Sequence, residues 1–323
     1  MEPLPRGANF LRAKMLWEIG LHIAGNPDTP YTGNRDICVT VGSGSGEHYT
    51  PALRMSSGSP ILAHAVARGE LDLAFVNPSG LLTQADRGTG LFAQPLPLRI
   101  VVSYPSYDQF VILVHERTGI TSLADLKDKR PALRVSIRED PTHSTRVLID
   151  QILGLFDLNL SAFEIWGGSF QKVGPPGDMR RVDAIKAGEI DLVWDEGIHN
   201  NDWFDVALEA GMRPIELEKP IQQQLELIGW RLAPMPSGFV PHLAQDYIGI
   251  DYSGWPLYGS VSLSDEMAYQ VCEAAAARAE EIPWEEGTFT GVSQLGQETP
   301  ATPRDVPLHP GAERWFREHG HLS

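Results

Sequence analysis

An α/β protein with mainly parallel sheets is predicted by three observations. Short apolar runs alternate with segments of helical spacing along the chain. One such unit recurs: residues 65–76 read AVARGELDLAFV and residues 184–195 read AIKAGEIDLVWD. The chain has 323 residues, 42% hydrophobic and 21% charged, enough to bury a core without staples. Strand–helix alternation of this kind makes layered α/β sheets. The length suggests about two domains of roughly 150 residues each.

The elements follow in order. Residues 8–23 place Leu11, Met15, Leu16, Ile19 and Ile23 at helical spacing. Residues 36–41 (DICVTV) read as a strand, and residues 60–68 as a helix with Pro60 at its first position. Residues 71–76 and 190–194 are the strands of the two repeated units. Each is preceded by a helix end and a glycine, Gly69 or Gly188, suited to the left-handed position that closes a helix. Residues 99–103, 110–114 and 133–137 are further strands. Ser122 caps a helix over 123–127, with Asp125 as a variant capping box. A helix starts at Thr142 or Ser144 and runs to Leu155 through Val147, Leu148, Gln151 and Ile152. Residues 205–210, 265–281 (capped by Ser264) and 312–319 are the remaining helices. The Gly- and Pro-rich residues 167–177 and 285–310 read as loops.

Composition excludes several functions. The formal charge is −16, and no basic cluster is longer than Met179-Arg180-Arg181, so nucleic acid is not an expected partner. Two cysteines, Cys38 and Cys272, rule out a zinc cluster or disulfide scaffold and read as independent buried thiols, with a single bridge between them as the alternative. No run of about 18 apolar residues predicts a membrane span. The first ten residues, MEPLPRGANF, lack the pattern of a signal peptide. Catalytic motifs are weak. No G-x-S-x-G elbow occurs at a strand–helix turn. Residues 41–46 (VGSGSG) lack the Lys-Ser/Thr of a P-loop.

Longer motifs carry a resemblance. Residues 119–130 (GITSLADLKDKR) resemble a segment of type II periplasmic binding proteins, with Asp128 where glycine is usual. The GELDL and GEIDL units resemble segments found in both lobes of that fold. PSGF at 236–239, WPLYG at 255–259, a helix opening DEMAY at 265–269 and HPGAERWF at 309–316 follow the order seen in TAXI-type solute receptors of TRAP transporters. The resemblance spans about residues 36–320. It implies two α/β lobes, residues 1–103 plus 248–323 and residues 104–247, with an interlobe cleft. It also implies a small carboxylate-bearing ligand (amino acid or organic acid), no cofactor, a monomer, a periplasmic location and TRAP transporter membrane subunits as partners. In the family a strand precedes the first helix, whereas here a helix comes at once. The first lobe is therefore expected to lack its first strand, and Met1 to lie downstream of the natural start. With Met1 as the true start the chain would stay in the cytoplasm.

The candidate site lies at strand ends next to helix N-termini, where unpaired N–H groups favour an anion. Ser57, Gly58 and Ser59 match the family's ligand-contacting turn, and an ordinary helix cap accounts for them equally. Asn77 and Ser79 follow the first repeat strand, where turn chemistry is the alternative. Ser144 and Thr145 match the loop that grips a carboxylate, with His143 in place of a small residue and Arg146 as a second anion partner. Asp195 and Glu196 follow the second repeat strand and suit an amine, or a solvated turn. With His199 and Asp202 they form a weaker metal-site reading. Tyr107, beside Tyr104 near the lobe crossover, suits an aromatic wall, and Trp166, Trp194 and Trp255 are wall or core. Two alternatives stand beside the receptor. One is a cytoplasmic, decarboxylase-like enzyme acting on a small organic acid or cofactor precursor through His143, Asp195 and Glu196. The other is a cytoplasmic ligand sensor.

Overall fold

A computed structural model describes residues 37–41, 53–57, 60–197 and 202–323. The expected helix at 8–23, Gly58, Ser59, the glycines after Val41 and His199 lie outside the described residues.

Two sheets organise the chain. The first holds β1 (Ile37–Val41), β2 (Leu53–Ser57), β3 (Leu73–Phe75), β12 (Trp255–Ser260) and β4 (Leu98–Tyr104), in that spatial order. The second runs β10 (Leu232–Met235), β11 (Tyr247–Asp251), β5 (Gln109–His115), β8 (Leu192–Glu196), β6 (Arg134–Arg138) and β7 (Ser169–Val173). A short β9 (Met212–Pro214) pairs with the far end of β5. The two-sheet α/β class is as expected, but the pairing is mixed. Among the described residues three ladders are parallel, β2–β3, β6–β7 and β6–β8. The others are antiparallel, because β12 returns between β3 and β4 and β5 runs against β8 and β11.

The chain crosses between the sheets twice, from Tyr104 to Gln109 and from Asp251 to Trp255. The crossings bond to each other: Tyr252 N–H donates to Asp108 O (2.9 Å) and Gly254 N–H to Ser106 O (3.1 Å). The return falls after Asp251, later than the expected boundary at 247/248. The reason is that Ile250 is paired with Phe110 and Leu232 inside the second sheet.

The repeat is built around one aspartate in each copy. After α1 (Leu62–Ala67), Gly69 is left-handed at φ +72°, and Asp72 accepts the backbone N–H (2.6 Å) and guanidinium of Arg54 on β2. After α6 (Met179–Lys186), Gly188 is left-handed at φ +69°, and Asp191 accepts the backbone N–H (2.9 Å) and guanidinium of Arg134 on β6. Each arginine also donates to the carbonyl of its own unit's glycine. The GE(L/I)DL signature is thus a clamp between a helix–strand unit and the neighbouring parallel strand.

The remaining helices are α2 (Ser79–Arg87), α3 (Ala124–Lys129), α4 (Ser144–Gly154), α5 (Leu160–Ile165), α7 (Trp203–Glu209), α8 (Lys219–Ile228), α9 (Asp265–Ala277) and α10 (Pro310–Glu318). Ser264 caps α9 as expected, accepting Met267 N–H at 3.2 Å. Residues 167–177, expected as a loop, contain β7, which takes the open side of β6. Alternation along β5 separates two cores. Phe110 and Ile112 join the larger one, while Val111 and Leu113 pack with Val193, Trp203 and Phe204. The first unit, the part of the chain built on the first sheet, and the second unit, built on the second sheet, touch where α2 meets α4 and α8: Gln151 Nε2 donates to Gln84 Oε1 (3.0 Å) and Arg87 Nη1 to Glu226 O (3.2 Å).

Candidate functional site

The second repeat strand starts and ends two residues later than the spacing predicts. Asp195 and Glu196 therefore close β8 itself, paired with Val111 and Phe110. They are buried in the strand rather than set on a solvated turn.

Successive strand residues face opposite ways, yet Arg138 at the end of β6 reaches both. Its Nε donates to Asp195 Oδ1 (2.8 Å) and its Nη2 to Glu196 Oε2 (2.7 Å). Arg181 of α6 donates to Asp195 Oδ2, to Ser136 Oγ (2.9 Å) and to Pro176 O (3.1 Å), and lies over the Trp203 ring. Burial pushes the Asp195 carboxyl up, but the charges of Arg138 and Arg181 outweigh it and hold the pKa below the usual value. Both oxygens of Asp195 are committed. Glu196 keeps one oxygen, Oε1, buried without a hydrogen-bond partner, and Trp194 Nε1 two residues earlier is likewise buried and unpartnered.

The start of α4 lies beside this pair. His143 caps it, its Nδ1 accepting Thr145 N–H at 3.2 Å. Burial lowers the pKa of His143, with Glu196, Arg138 and Asp195 all close enough to act on it. Thr145 is fully buried, its hydroxyl 3.0 Å from His143 Nδ1, and so serves the cap. Ser144 is buried against Tyr252, whose Oη makes no hydrogen bond of good geometry. Arg146 donates to Arg138 O at 3.1 Å and thus supports the end of β6.

Two groups from the crossings complete the cluster. Asp108 is buried, its Oδ1 accepting Gln109 N–H at 2.8 Å. Burial, then the charge of Glu196, raises its pKa well above the usual carboxylate range. Tyr252 is fully buried and stacks on Trp230 (centroids 5.7 Å apart). Neither residue is singled out by sequence spacing. Their signal is positional, since each flanks a strand that enters or leaves the second sheet.

The first unit meets the cluster through α2. Ser79 is its first residue, and Gly80 abuts Trp230, where an added Cβ would lie 3.0 Å from the ring. Asn77 Oδ1 is buried with no hydrogen-bond partner. Ser57 is the last residue of β2, paired with Phe75 and Ile37. Tyr107 lies apart from the helix starts. It lines a 540 Å³ cavity with Asp108, Gln109, Gly197, Arg231 and Asp251, where the crossings meet β10. Trp255 stacks on Tyr104 (4.8 Å), and Trp194 lies edge-on to Phe110. Among the described residues no group of three or more His, Cys, Asp or Glu is placed to hold a metal ion, and no helix is long and apolar enough to cross a membrane.

No family model matches the chain. Similar solved structures include the alkanesulfonate-binding protein SsuA from Xanthomonas axonopodis pv. citri bound to MOPS, 15% identical over 82% of this chain and 71% of that one, TM-score 0.30. Lactococcal OpuAC complexed with glycine betaine is 10% identical over 81% and 82% of the two chains, TM-score 0.35. The L-cystine solute receptor of Neisseria gonorrhoeae is 15% identical over 68% and 66%, TM-score 0.27. Likeness at these values assigns this chain neither a family nor a ligand.

Proposed function

We propose that this chain is a solute-binding protein. It holds a small carboxylate-bearing solute, an amino acid or organic acid, between its two units. It delivers the solute to TRAP-type transporter membrane subunits, working as a periplasmic monomer. One observation carries the reading. Continued one residue past the second copy, the repeat makes Asn77 and Glu196 equivalent positions. Each carries a buried side-chain oxygen with no partner, Asn77 Oδ1 in one unit and Glu196 Oε1 in the other. An unmet buried polar atom costs about 1–3 kcal/mol, so its recurrence at one repeat position points to a partner supplied from outside. A solute that answers both units favours their closure. The positive end of α4, which opens at Ser144, favours its carboxylate.

The Asp108–Glu196 pair supports a second reading, because one raised carboxyl beside another suits proton transfer in an enzyme. One experiment separates the two. Amino acids and organic acids are screened by thermal shift, and each stabilising compound is re-isolated after incubation. A solute at 100 times its Kd adds about 2.7 kcal/mol. Recovery unchanged is the expected result. Conversion would transfer the site to the enzyme reading, and a panel with no stabilising compound would remove the receptor reading.

A further inference from the structure

Three carboxyls, of Asp108, Asp195 and Glu196, meet two guanidiniums, of Arg138 and Arg181, at the end of β8. The other titratable groups facing them are His143 from α4 with Asp140 beside it, Asp178 at the start of α6, Tyr252 from the return crossing and Glu285, which receives Tyr107 N–H at 3.1 Å. None of these adds a positive charge while His143 stays neutral, as its burial favours. Asp195 is matched on both oxygens, and Glu196 on one. Asp108 is 7% exposed and Glu196 4%, so water does not screen the remaining carboxyl charge. Something must balance it, either a proton or a cation.

We propose that the solute presents a protonated amine to Glu196 Oε1 and Asp108, and that docking it drives a proton from Asp108 into solvent. The inference rests on the solute-binding reading above. At the carboxyl cluster the charge balances in both states, with the solute's own carboxylate placed outside it, towards the positive end of α4. Without solute, a proton neutralises Asp108, consistent with its raised pKa. With solute, the ammonium takes that place while the proton leaves. The neighbouring donor Trp194 Nε1–H, unpartnered and 1% exposed, suits an acceptor on the same molecule. The solute class is therefore a small zwitterion rather than a simple organic anion.

The test is calorimetry on matched pairs: glycine and acetate, β-alanine and propionate, 4-aminobutyrate and butyrate, glutamate and glutarate. Each is titrated from about pH 5 to about pH 7 in two buffers of different ionisation heat. At least one amine-bearing member should bind about tenfold or more tighter than its partner. Its affinity should rise with pH, with up to about one proton released per solute on the acid side. Glu196→Gln should weaken it by about tenfold or more, and Asp108→Asn should flatten the pH dependence. The wild-type buffer comparison stands alone if a variant does not fold. Equal binding of the amine-lacking members, or amine binding without proton release, would overturn this inference and leave the solute-binding reading intact. Failure of every compound to bind folded protein would overturn both.

Discussion

Replacing Asp191 with asparagine isolates the charge of the repeat clamp. Asp191 accepts the Arg134 N–H (2.9 Å), Nε (2.8 Å) and Nη2 (3.0 Å) and the Arg117 Nε (3.0 Å) and Nη2 (2.7 Å). Burial pushes its carboxyl up, but the Arg134 side-chain and backbone bonds and Arg117 outweigh this and hold it at about 2. An unfolded aspartate titrates near 3.9, so the gap is worth at most about 2.6 kcal/mol at 1.36 kcal/mol per unit. The arginine side chains are 44% and 37% exposed. Solvent screening therefore brings the expected value to about 1–2 kcal/mol. The folded pKa is depressed, so this stability is present in full above about pH 4 and is lost as pH falls through about 2. Urea unfolding of wild type and Asp191→Asn checks it. The two should differ by about 1–2 kcal/mol at neutral pH and converge as the solution approaches about pH 2. A gap that stays constant down to that pH would refute the electrostatic account and leave only shape and amide hydrogen bonding. Asp72→Asn, which removes contacts to Arg54 alone, should cost less.

Three further outcomes are expected. Asp195→Asn leaves buried Arg138 and Arg181 without their shared counter-charge and should cost about 3–5 kcal/mol. A thermal midpoint within a degree or so of wild type would contradict the buried network. Gly311→Ala, at the start of α10, drives a Cβ into the backbone carbonyl of Asp265 at the start of α9. It should destabilise by about 2 kcal/mol or more, and an unchanged urea midpoint would show that the contact relaxes. Cys272 is 1% exposed, and burial pushes its thiol up to about 12. Peptide mapping after iodoacetamide treatment at mildly alkaline pH should find it unmodified in native protein and alkylated in urea, whereas native labelling would mean that α9 opens readily.

Legibility followed the range of the interactions. The repeat was readable because its parts are local: a left-handed glycine, a two-residue turn and an aspartate lie within a few positions. Ser264 was readable for the same reason, since a cap and its target N–H are three residues apart. β7 was missed because glycines and prolines flank it, and pairing with β6 outweighs that composition. The sheet directions were missed because they depend on where β12 and β5 insert, which no local spacing encodes. At the site, Ser144, Asp195 and Glu196 were visible as polar residues at strand and helix ends. The arginines that occupy Asp195 come from other elements, Arg138 from β6, 57 positions away, and Arg181 from α6, 14 positions away, beyond what local spacing shows. Asp108 and Tyr252 join the cluster only because both crossings pass the same strand end.

The two copies of the repeat also explain why adjacent carboxylates have different work. Up to Asp72 and Asp191 the copies build the same clamp, so each places its strand the same way against a parallel neighbour. The next difference that matters is Val76 against Asp195. Val76 is 4% exposed and joins the larger core, while Asp195 is spent on Arg138 and Arg181. One residue on, Asn77 and Glu196 both end with an unpartnered buried oxygen. An ion network holding β6, β8 and α6 together needs a carboxylate with no oxygen to spare, and the recognition role proposed for Glu196 needs one that keeps an oxygen free. Arg138 spans both roles, because its Nε fixes Asp195 while its Nη2 takes only the far oxygen of Glu196. The guanidinium thereby binds one oxygen of Glu196 and leaves the other for the ammonium group of the proposed solute.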